Sequence, residues 1–196
     1  MFQDLYDYLY HQADQGGIPL KGTGIVLGLL LVASHLAAFL HTDATQGFLK
    51  KFPRNYAWGV ALLSIDFLWA MLIMSYMDMG EFFNLRSKFM FLMPVAFVLV
   101  LIFVKEFLAV RAFGALLLLV SGPVLTAAFL QPPASRLLVP VLAYVWIIAG
   151  MFFVGMPFVM RDWVNWVTAT PARWKAATLG GVIYGALMLA AAVTAW

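Results

Sequence analysis

The chain reads as an all-α polytopic membrane bundle of about six transmembrane helices, preceded by a short interfacial amphipathic helix. Three observations carry this. Of 196 residues, 64% are hydrophobic and 11% are charged; mean hydropathy is +0.93; and the apolar residues gather into six long runs. Such a composition lies far outside that of a soluble domain, and a span needs about 20 apolar residues to cross the hydrocarbon core. Six spans with short connections fill the length, so the expected organisation is an N-terminal segment, 1–21, and one membrane domain, 22–196.

The first twenty residues, MFQDLYDYLYHQADQGGIPL, have no basic leader and no small-residue cleavage site, so a cleaved signal peptide is not expected. Phe2, Leu5, Tyr6 and Leu9 recur at helical spacing, while Asp4, Asp7 and His11 fall largely elsewhere. That pattern predicts an amphipathic helix lying at the membrane surface or docking a partner, ended by Gly16, Gly17 and Pro19.

The spans are placed at about 22–41, 56–77, 89–104, 112–130, 137–160 and 175–195. The third is short, and Arg86, Lys88 and Lys105 at its ends are expected to extend outward to the headgroups. Residues 105–111, KEFLAVR, read as an interfacial turn in which Glu106 pairs with Arg111. In the last long loop, Thr170 reads as a helix cap and Pro171 as the first helical residue. Trp163, Trp166 and Trp174 in that loop have the amphipathic rings of interfacial anchors, with a lipid-headgroup or partner site as the alternative reading.

The first, third and fifth loops carry Lys50, Lys51, Arg54, Lys105, Arg111, Arg161, Arg173 and Lys175, and the opposite side carries Lys21, Arg86, Lys88 and Arg136. Cytoplasmic loops are enriched in basic residues. The expectation is therefore a bacterial-type inner (plasma) membrane protein with both termini on the non-cytoplasmic side. Gly24 and Gly28 in the first span, and Ala177, Gly181 and Gly185 in the sixth, form small-residue stripes suited to close helix packing, within the chain or between subunits. No internal repeat is evident.

Polar residues inside spans are few. Counting inward at about 1.5 Å per residue places Asp66 roughly 12–15 Å deep, with Ser121 and Tyr184 at similar depth and His35 nearer the cytoplasmic side, about 9 Å in. These four form a candidate intramembrane polar layer. Pro94 and Pro123 lie at comparable depth, and each frees the carbonyl one turn earlier, at Met90 and Leu119. Asp66, Ser121, Tyr184 or a water are the expected donors. An ionised carboxylate in hydrocarbon costs roughly 2.5–3.5 kcal/mol on insertion scales, so Asp66 is expected to face the interior and to be neutral. Its role is either a proton relay or cation site, or hydrogen-bonded glue between helices.

His35 could ligate a haem or chlorophyll, but His41 lies six residues on, near the opposite helix face. His41 and Asp43 form an HxD pair, too few groups for a catalytic zinc. The absence of cysteine excludes disulfides and thiolate sites, and there is no nucleotide-binding, serine-hydrolase or zinc-protease motif. No basic patch suits nucleic acid. The expectation is a non-enzymatic protein without cofactor, embedded in the bilayer. It serves either as a structural or accessory subunit, with other subunits or further copies as partners, or as a proton- or cation-linked carrier or channel centred on Asp66. An enzyme or cofactor protein using His35 or the HxD pair is a third, weaker reading.

Overall fold

The computed structural model describes residues 1–196 and is entirely helical in its regular structure. Six helices are long and apolar enough to span a bilayer: α2, Leu20–Leu40; α4, Tyr56–Tyr76; α5, Arg86–Phe103; α6, Leu108–Ala128; α7, Leu138–Gly155; and α9, Pro171–Thr194. The chain is an integral membrane protein. Three short α-helices, α1, Phe2–Tyr10; α3, Thr42–Lys51; and α8, Phe158–Thr168, and four short 3-10 helices complete it. The connections expected as loops, 42–55 and 161–174, are thus largely helical.

Helix ends follow local chemistry. The Asn55 side chain accepts from the Trp58 amide at 3.2 Å and caps α4. Thr170 accepts from the Arg173 amide at 3.4 Å, with Pro171 opening α9, the arrangement the sequence predicts. The fifth span stops at Gly155 rather than near 160, because Pro157 lies between α7 and α8 and disfavours helix at the residue before it. The turn expected over 105–111 is shorter. Phe107 adopts a left-handed conformation, with φ of 55°, and α6 starts at Leu108. Glu106 and Arg111 are not ion-paired.

The centre of the bundle is α6, which packs against α7 and α4, while α2 and α9 form a second tight pair. One core cluster joins these units through Leu27, Leu31, Val124, Val139, Leu142 and Met188. Close approach depends on small residues. A Cβ added at Gly185 would stand 2.9 Å from the Gly28 carbonyl oxygen, and one at Gly28 would stand 3.0 Å from that of Gly185. Gly24 and Gly181 accommodate the rings of Trp196 and His35. The stripes on α2 and α9 therefore meet within one chain. Ala177 is exposed instead, and the buried residues of that turn are Trp174 and Thr178.

A closer crossing joins α6 to α7. A Cβ at Gly114 would lie 2.9 Å from the Gly150 oxygen, and one at Gly150 would lie 2.7 Å from the Gly114 oxygen. Two turns along, buried Ser121 faces Ala143. The small residues here repeat every seven positions rather than every four, so a search for small-xxx-small spacing misses them.

The N-terminal helix is present but not confined to a lipid surface. It packs on α4 and α6. Tyr6 lies against Tyr76, with ring centroids 6.1 Å apart, and the Trp69 indole N–H donates to the Tyr10 hydroxyl at 2.9 Å. Phe2 and Leu5 project outward. Burial in this contact pushes the Tyr10 phenol above its ordinary pKa, and the Trp69 hydrogen bond opposes the shift.

Candidate functional site: a carboxyl in an apolar groove

Helix α4 lies between α5 and α6, and the three helices form a groove with α4 as its floor. Leu63, Asp66, Phe67 and Ala70 come from the floor; Met93, Ala96, Phe97 and Val100 from the α5 wall; Ala115, Leu118 and Leu119 from the α6 wall. Its volume is about 410 Å³, within the range of small-molecule sites. Asp66 is the only polar residue among those lining it.

Asp66 is the middle residue of α4, about 15 Å from either helix end at 1.5 Å per residue. It is only 5% exposed, and neither carboxyl oxygen has a hydrogen-bond partner. An unsatisfied buried polar group costs about 1–3 kcal/mol, and a charged one more. The glue reading requires a helix–helix hydrogen bond from this carboxyl, and none is formed.

The other three members of the candidate layer have partners of their own. Ser121 donates to Leu117 O at 2.6 Å and Ala143 O at 3.4 Å, in the α6–α7 seam. Tyr184 donates to Leu138 O at 2.7 Å, at the first residue of α7. His35 Nδ1 donates to Leu31 O at 2.9 Å, and its ring rests on Gly181. No hydrogen bond connects any two of Asp66, Ser121, Tyr184 and His35, so they do not act as one hydrogen-bonded layer. Helices α6 and α9 each begin four residues before the predicted spans, which moves Ser121 and Tyr184 about 6 Å further along their helices. Asp66, on a correctly placed helix, keeps its central depth.

Pro94 and Pro123 lie within α5 and α6. The side chains expected to serve the freed Met90 and Leu119 carbonyls are engaged elsewhere or, for Asp66, unpaired. Leu119 lines the same groove as Asp66.

At the end of the bundle bearing α3 and α8, Trp163 and Trp166 are exposed as anchors would be, and Arg173 stacks over Trp166 at 4.7 Å. Trp174 differs, being 5% exposed with its indole N–H donating to Thr42 Oγ1 at 3.2 Å. It ties α9 to α3. His41 ends α2 and precedes α3, with Asp43 in the first turn of α3, and no three His, Asp or Glu side chains converge anywhere in the chain.

Comparison of the chain with protein-family models, curated proteins and solved structures yields no match. The groove's chemistry is therefore the basis for a functional reading.

Proposed function

We propose that this integral membrane protein is a proton- or cation-linked carrier working through Asp66. The observation that carries the reading is a carboxyl at mid-span, buried, and left without any protein donor. Intramembrane acids normally pair or line a pathway, because an isolated charge in hydrocarbon is expensive. A carboxyl with no partner in the fold is suited to take one from outside it, either a proton or a cation. Exchange of the two at Asp66 keeps the site neutral and links their movements. The separate placement of Ser121, Tyr184 and His35 offers no connected polar path, which favours a carrier over a channel.

The test is flux into proteoliposomes holding a pH-sensitive dye. Wild-type protein is expected to show proton movement that depends on an added substrate cation, and Asp66→Asn to abolish it while keeping its helical content and monodispersity. Unchanged flux in the variant rejects the reading.

A second reading, a structural or accessory subunit, is favoured by α5. None of its residues is buried, and α4 is its principal helical neighbour. Co-purification in mild detergent tests it: a partner or second copy crosslinked through α5 supports it, and a chain that remains alone counts against it.

A further inference from the structure

We infer that the groove takes a lipophilic organic cation that enters sideways from the bilayer. This rests on the carrier reading and names its ligand.

The lining separates three ligand classes. Inorganic cations require several oxygen ligands, six or more for magnesium or calcium, and the groove supplies one polar side chain, Asp66. A hydrated ion would also have to lose its water against apolar walls. A neutral lipophile would fit those walls but leave the carboxyl unpaired, with the same cost as in the empty groove. An organic cation with an apolar body satisfies both parts of the site. Its charge pairs with Asp66, and its body lies on Leu63, Met93 and Val100.

The aromatic wall points the same way. Phe67 and Phe97 line the groove and stack with centroids 4.7 Å apart. Phenyl rings attract cations through their negative faces, more strongly when water is excluded. No second ionisable side chain lines the groove to compete for the ligand. On the helices packed against α4, Arg86 and Lys88 stand at the start of α5, Arg111 in the first turn of α6, and Asp4, Tyr6, Asp7, Tyr8 and Tyr10 on α1.

Entry from the membrane follows from the position of α5. It is the outermost helix here, and besides the Phe67–Phe97 stack its side-chain links to α4 and its C-cap are Tyr56 to Leu101 O at 3.1 Å, a weak contact from Ser75 to Met90 Sδ at 3.8 Å, and Arg86 to Met77 O. All three lie towards the helix ends. Pro94 removes one backbone hydrogen bond beside Met93, on the groove wall. A small outward movement of this wall uncovers the carboxyl to a molecule already dissolved in lipid.

The test measures radiolabelled tetraphenylphosphonium binding to the protein in phospholipid nanodiscs, with protein-free nanodiscs subtracted. The wild type is expected to bind saturably. Asp66→Asn is expected to weaken binding by at least ~30-fold, in line with loss of one partner of a buried charge pair. Asp66→Glu should retain part of the affinity, Phe97→Leu should lower it, and Val98→Ala on the outer face of α5 should leave it unchanged. Circular dichroism and size-exclusion elution separate lost binding from lost fold, and Phe97→Leu, on the half-exposed wall, keeps the test open if Asp66→Asn fails to assemble. Absence of saturable binding, or equal binding by Asp66→Asn, overturns the inference. Asp66-dependent proton flux or sodium binding without probe binding overturns the ligand class and leaves the carrier reading standing. Probe binding at Asp66 without any flux rejects the carrier reading and supports the ligand class.

Discussion

Replacing Asp66 with leucine should make the protein more stable. Both carboxyl oxygens are buried without partners, so the native fold carries an unsatisfied polar group worth about 1–3 kcal/mol. Leucine removes that cost and adds apolar contacts. It also has room, since the residue borders an open space of about 410 Å³, and the overpacking that penalises larger core residues does not apply. The expected change is a stabilisation of about 1–3 kcal/mol, read as a shifted midpoint when dodecylmaltoside micelles are titrated with sodium dodecyl sulfate and tryptophan fluorescence is followed. Asp66→Asn, which keeps the shape and leaves a buried amide without partners, should stay close to wild type. A destabilisation of about 1 kcal/mol or more by leucine would refute the reasoning, because that is the loss expected for a carboxyl that bonds a neighbouring helix. A stabilising substitution that abolishes flux would mark Asp66 as a residue kept for function at a cost in stability.

Gly150→Ala should destabilise by about 1–3 kcal/mol, since its Cβ would meet the Gly114 carbonyl oxygen at 2.7 Å and backbone cannot rotate aside. Gly180→Ala, with nothing within 4 Å of the added atom, should be neutral or slightly stabilising through helix propensity; equal midpoints for the two would contradict the α6–α7 crossing. Trp69→Phe removes the donor to Tyr10 and should loosen α1 by about 0.5–1.5 kcal/mol. Faster amide exchange confined to residues 2–10 would be the signature, and unchanged exchange would count against the docked position of α1.

Much of the fold is legible in the sequence because a bilayer imposes length and apolarity on each span. The ends of α2 and α4 fall within two residues of expectation, and Thr170 and Pro171 announce α9 through their capping chemistry. The short helices α3 and α8 are harder to see, since polar connecting segments resemble loops unless their helical period is sought. Trp174 shows the limit of composition. A tryptophan near an interface suggests an anchor, whereas its place in the first turn of α9 turns the ring towards Thr42. Asp66 stands out in the sequence because a charge in an apolar run is costly anywhere. Its surroundings do not, because they depend on α4 lying between α5 and α6, and adjacency between spans leaves no periodic trace in any one of them. Ser121 and Tyr184 are candidates by depth, and depth cannot reveal the backbone carbonyls that satisfy them.

The most direct test of a buried, unpaired carboxyl reached from the lipid is chemical. Dicyclohexylcarbodiimide dissolves in the bilayer and adds to protonated carboxyls, ending as a stable N-acylurea. Peptide mass mapping after treatment of the protein in nanodiscs should find that adduct on Asp66, slowed by tetraphenylphosphonium, with no reaction there by a water-soluble carbodiimide. An unmodified Asp66 under conditions that modify other carboxyls of the same chain would contradict a groove open to the membrane.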